Sequence, residues 1–128
     1  MAKLKRIYVV LNTSVAKYAD TDAGFELIAS RSRNNSWKQS FPDLPHDERE
    51  KNRTDYYEFN VQGKGIEENT KLSIRMTSSD DAWLPSSIWV IGETENNSLL
   101  ILAGYPRWPR DKWFDRGASP LGPDQHDL

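Results

Sequence analysis

Leu72, Ile74 and Met76 alternate with Ser73, Arg75 and Thr77. That two-residue period belongs to an extended strand with one apolar face and one wet face, whereas a helix would space its apolar residues by three and four. The pattern recurs along the chain. Tyr57, Phe59 and Val61 stand opposite Tyr56, Glu58 and Asn60 over 55–61. Ile7, Val9 and Leu11 share a face over 5–11, and Phe25, Leu27 and Ala29 share one over 24–30. Residues 88–91 are apolar at every position and read as a central strand with Trp89 in the core. Residues 99–103 form another apolar strand, and 37–41 a short edge strand.

The segments between these runs are rich in turn formers. Residues 42–54 are charged and poor in apolar side chains, and Gly63 and Gly65 supply turn conformations within 62–70. Residues 78–87 carry Asp80, Asp81, Trp83 and Pro85, and the proline and serines there exclude a helix. Short strands at regular spacing point to an all-β chain: two antiparallel sheets packed face to face, about eight strands in all. Trp108 and Trp113, among the prolines of 104–114, are expected to close one end of the core. Residues 1–114 then form the domain, and 115–128 a flexible C-terminal tail.

A chain of 128 residues suffices for one core that buries about two-thirds of its unfolded surface. A net charge of −2 gives no electrostatic reason to expect nucleic acid as a partner. The absence of cysteine excludes a disulfide framework and any thiolate metal site. No apolar run reaches the roughly 20 residues of a membrane span. Residues 7–11 are too short for a signal-peptide core, so a cytoplasmic or membrane-peripheral location is expected.

Several segments, in order, resemble the PLAT (lipoxygenase-homology) domain: Tyr8-Val9-Val10, Thr13, the run Ala19-Asp20-Thr21-Asp22-Ala23, Thr54 to Phe59, Leu72-Ser73-Ile74, and Trp83 to Val90. Within that family the acidic segment before 55–59 and the run Asp81-Ala82-Trp83-Leu84-Pro85 resemble the C-terminal domain of clostridial phospholipase C toxins. The family's usual glycine before Thr-Asp is Asp20 here. The resemblance covers about residues 5–108. It implies an eight-stranded PLAT-like sandwich that binds membrane lipid surfaces or protein partners, often with calcium, and has no catalytic machinery of its own.

Calcium takes about six to eight oxygen ligands, typically carboxylates and carbonyls from flexible loops. Three expected loops offer them: Asp20, Thr21 and Asp22; Asp43, Asp47 and Glu48; and Asp80 and Asp81. The resemblance places ligands in the same loops, with Asp20, Asp47 and Asp81 preferred. Read without it, these acids are solvated turn formers. Tyr18 and Trp83 flank the acidic runs and are the expected membrane or partner contacts, since such rings favour an interface between apolar and wet surroundings. Exposed Trp37, Trp83 and Trp113 support an alternative, a carbohydrate-binding sandwich. An enzyme is not expected: His46 and His126 are the only imidazoles, and no nucleophile elbow, phosphate loop or His-Glu metal motif occurs.

Overall fold

The computed structural model describes residues 2–16, 23–32, 35–42, 50, 52–77, 82–117 and 120–128. They form eight strands: β1 Leu4–Thr13, β2 Phe25–Ser32, β3 Asn35–Ser40, β4 Thr54–Asn60, β5 Lys71–Met76, β6 Pro85–Thr94, β7 Leu99–Tyr105 and β8 Gln125–Asp127. Two four-stranded sheets result, in the orders β4-β1-β6-β7 and β3-β2-β5-β8, and the neighbours throughout are antiparallel. No helix occurs among the described residues, so none there is long and apolar enough to cross a membrane.

The period-two pattern sets the register. In the first sheet Val9 lies opposite Tyr57 and Val90, and Leu11 opposite Ile88. In the second, Leu27 faces Ile74, Ala29 faces Leu72, and Phe25 faces Met76. These side chains are buried between the sheets, and a one-residue slip in any strand would turn its apolar set out to water. β3 is an edge strand, as its sequence suggests. Its Trp37 is half-buried and meets Phe59 of the opposite sheet edge-on, with centroids 6.2 Å apart. Gly63 and Gly65 adopt φ of 75° and 72°, the turn geometry expected of them.

One end of the core is filled by aromatic rings. Trp83 is fully buried, 4.9 Å from Phe25 and 5.2 Å from Phe114 between centroids. Its indole N–H donates to the hydroxyl of Thr13 at 2.9 Å, a bond between two groups sealed from water. The backbones of Trp83 and Phe114 exchange two hydrogen bonds of 2.8 Å. Trp108 stacks on Phe114 at 6.0 Å, as expected for a segment that closes the core.

Three expectations are corrected. The C-terminal residues are part of the domain: β8 pairs with β5, placing His126 opposite Ile74. The His126 ring packs 4.6 Å from Phe114, and its Nε2 lies 2.7 Å from the carbonyl of Trp113. Because a carbonyl only accepts, that nitrogen carries the hydrogen. The composition of 115–128 is polar, but Asp115 is buried, and its carboxylate accepts from the backbone N–H groups of Gly117 and Leu121 at 2.8 Å each. Trp89 is not in the core. It lies on the outer face of β6 against Gly104, where an added Cβ would come within 2.7 Å of its Cζ3. Ser73, assigned to a wet face, is buried and accepts from Gln125 of β8 at 3.1 Å.

The outer face of the first sheet carries a polar knot. Glu93 accepts from the Tyr8 hydroxyl at 2.9 Å and from Arg6 at 3.2 Å, with Lys5 Nζ at 3.8 Å. The Tyr8 bond, assisted by Arg6 and Lys5, holds the Glu93 carboxyl below the usual carboxylate range, and the same bond raises the Tyr8 phenol.

Three outcomes follow. Thr13→Val leaves the buried Trp83 N–H without an acceptor, a cost of about 1–3 kcal/mol. It should lower the melting temperature by roughly 4–12 °C; an unchanged temperature would show that this bond contributes nothing. Removing residues 124–128 should lower the urea midpoint clearly, whereas a dispensable tail would leave it unmoved. A depressed folded-state pKa stabilises above the unfolded value, near about 4.3 for Glu. That contribution disappears as pH falls through the lower folded value. Stability of the native chain should therefore fall more steeply than that of Glu93→Gln below about pH 4.5, as read by melting curves at stepped pH.

Candidate functional site

The strand order sends the chain from one sheet to the other repeatedly at one pole. β1 to β2, β3 to β4, β5 to β6 and β7 to β8 all join strand ends there, while β4 to β5 crosses at the opposite pole. The pairings fix this. Thr13 lies opposite Pro85, Asn12 opposite Thr54, and Ile88 opposite Tyr105 in the first sheet. Phe25 lies opposite Met76, Glu26 opposite Ser40, and Arg75 opposite Gln125 in the second. The Trp83–Phe25 contact joins the two sets of ends.

The expected calcium ligands Asp20, Thr21, Asp22, Asp43, Asp47, Glu48, Asp80 and Asp81 lie outside the described residues, as do Tyr18 and His46. The described residues that flank them, including Ala16, Ala23, Phe41, Glu50, Thr77 and Ala82, belong to the strand ends of this pole. Among the described residues no three His, Asp or Glu side chains come together to hold a metal. Trp83 is corrected: an indole with no exposed surface, spent on Thr13, offers nothing to a membrane or partner. Of the other tryptophans, Trp108 is buried and Trp37, Trp89 and Trp113 are half-buried, so no tryptophan stands exposed as a sugar platform.

What the pole does present is a cleft of about 590 Å³ beside the end of β1, within the usual range for small-ligand sites. Backbone hydrogen bonds build its walls. Thr13 is held on one side by Asn52 and Arg53, at 2.8 and 3.1 Å, and Ser14 on the other by Leu84 at 3.0 Å. The floor is polar: Asn12 Nδ2 donates to Thr54 Oγ1 at 3.0 Å, and the Ser86 hydroxyl donates to Asn12 Oδ1. The roof is the turn after β7. Its Trp108 N–H bonds Ser86 O at 2.9 Å, its indole donates to Lys112 O at 2.8 Å, and Pro106 and Pro109 fix two of its φ angles.

From that stiffened turn Arg107 and Arg110 line the cleft, both exposed and neither paired with a carboxylate among the described residues. Arg110 also lines a neighbouring cleft of about 380 Å³ with Ala16 and Trp113. Between them stands Val15, 70% exposed, whereas Phe25, Trp83, Leu84, Trp108 and Phe114 of the same pole are buried. Sequence reasoning missed Val15, Arg107 and Arg110. The available signal was the run Pro106-Arg107-Trp108-Pro109-Arg110, which sets a cation after each proline of a rigid turn. Chemically the cleft offers cations and neutral hydrogen-bonding groups. His126, the one histidine among the described residues, is committed to packing and to the Trp113 carbonyl.

No family model and no curated protein matches the chain. Solved structures do. An alpha toxin from Clostridium absonum superposes with a TM-score of 0.73 at 17% identity, over 99% of this chain and 32% of the toxin. The alpha-toxin of Clostridium perfringens isolated from an avian strain gives the same score and identity, over 97% of this chain and 31% of the toxin. The chain thus spans about a third of the length of the toxins it matches. With its two four-stranded antiparallel sheets and this superposition on clostridial alpha-toxin, the chain has the fold of a PLAT-like domain.

Proposed function

We propose that this chain is a noncatalytic binding module that docks its crossover pole onto a membrane lipid surface. The observation that carries the proposal is Val15, an apolar side chain left 70% exposed beside Arg107 and Arg110, which have no carboxylate partner among the described residues, at the pole where the sheets exchange chain. A lipid interface suits that mixture. An apolar tip gains by leaving water, and each arginine near anionic headgroups contributes about 1 kcal/mol. The PLAT-like fold supports the same reading, because the family resemblance implies attachment to lipid or protein rather than turnover.

Calcium belongs to the proposal. Its ligands are proposed among Asp20, Asp22, Asp47 and Asp81, whose segments leave strands that end at this pole. The cation would offset the repulsion between acidic loops and anionic lipid, bringing them to the surface that Val15 and the arginines meet. Docking onto a protein partner is the reading that would remain if lipid binding fails.

Sedimentation with phosphatidylcholine–phosphatidylserine vesicles tests both parts. The chain should pellet with vesicles, more completely in calcium than in chelator, and Val15→Asp should weaken binding roughly tenfold, the loss of one buried apolar side chain. Absence from the pellet in both conditions would remove the lipid reading. A melting temperature identical in calcium and in chelator would remove the metal, since a saturating ligand at 100 times its Kd stabilises by about 2.7 kcal/mol.

A further inference from the structure

We propose that the cleft at the end of β1 is an anion site for a phosphate ester, with Arg107 and Arg110 as its clamp. The proposal names a ligand class for the docking pole. It rests on the docking reading only for the source of that phosphate, a lipid headgroup or a free ester.

Three observations carry it. The chain has more acids than bases, yet no carboxylate is among the described residues that line this cleft. Two guanidinium groups line it instead, one and two residues from a common tryptophan anchor and unpaired with any described carboxylate. Guanidinium is planar and presents paired donors that match two phosphate oxygens at once, so two of them without a carboxylate partner among the described residues are complementary to a phosphate.

The walls complete the match. The Ser87 and Thr54 hydroxyls and the Asn12 and Asn52 amides supply neutral donors along the floor, while the Ser86 hydroxyl is taken by Asn12 Oδ1. Asn12, Thr54 and Ser86 are already ordered by their mutual hydrogen bonds, which reduces the ordering cost on binding. Leu84, Pro85 and Val15 give the cleft an apolar side, suited to a small organic substituent on the phosphate. At about 590 Å³ the space exceeds what inorganic phosphate alone fills. A phosphate ester with a compact organic group fits both the charge and the size.

Glycerol 3-phosphate and inorganic phosphate serve as soluble probes in calorimetry, and phosphatidic acid vesicles as the lipid probe. Glycerol 3-phosphate should bind with a Kd of about 1 mM or tighter and more tightly than inorganic phosphate. Arg107→Ala and Arg110→Ala should each weaken it about tenfold, and the double variant should abolish it at an unchanged melting temperature. The Arg107→Lys/Arg110→Lys variant keeps the charge but loses the paired donors, and should bind severalfold more weakly than the native chain. Equal binding by native and double-alanine chains, or no binding of any of the three probes, would overturn the site. If glycerol 3-phosphate binds through the arginines but vesicles do not, the site stands and the lipid source falls. If vesicles bind the double-alanine variant as well as the native chain and lose it with Val15→Asp, docking stands and the phosphate clamp falls.

Discussion

The Trp83–Thr13 hydrogen bond sits where the two sheets must be joined, and the rest of the structure is arranged around it. Chain passes between the sheets at this pole after β1, β3, β5 and β7. Crossing backbone cannot pair as strands do, so the end of the sandwich would be open unless large side chains filled it. Phe25, Trp83, Phe114 and Trp108 do so from segments far apart in sequence, and His126 of β8 packs onto the outermost of them. A buried indole N–H is costly when unpaired. Thr13, shifted in register at the end of β1, supplies the acceptor.

This filling decides what the pole shows to solvent. With the indoles of Trp83 and Trp108 turned inward, the outward residues of the same segments are small, polar or cationic: Ser14, Val15, Ser86, Arg107 and Arg110. The cleft forms because Trp108 is pinned to Ser86 and Lys112 while its arginine neighbours are held away from the core by two prolines. Structure and surface chemistry therefore come from one source. The tryptophans that make the chain look adapted to an interface stabilise the scaffold, and the less conspicuous residues beside them line the cleft.

Charge is distributed unevenly along the first sheet. The knot of Lys5, Arg6, Tyr8 and Glu93 on the outer face is neutralised once Glu58, 3.3 Å from Arg6, is counted with it. Such exposed pairs contribute little to stability. They lie at the far end of β1 from Arg107 and Arg110, which have no carboxylate partner among the described residues. On the second sheet Arg75 is likewise spent on the buried Glu26 across β2 and β5.

The alternation of apolar and polar residues determined the strands, their inner faces and the all-β class, because a two-residue period permits few other structures. It placed Leu72, Ile74, Met76, Tyr57, Phe59, Val9 and Leu11 in the core correctly. The turn glycines and the edge position of β3 were legible for similarly local reasons. Only the tertiary structure decided the fate of side chains whose surroundings come from distant segments. Trp89 is apolar but lies outside because the bare backbone of Gly104 accommodates its ring. Trp83 looked exposed within a polar loop until Phe25, Phe114 and Thr13 closed around it. The polar C-terminus became a strand because β5 had an edge to offer. The cleft with its arginines was illegible for the same reason: it is a property of strand ends brought together by sheet order, which no local pattern encodes.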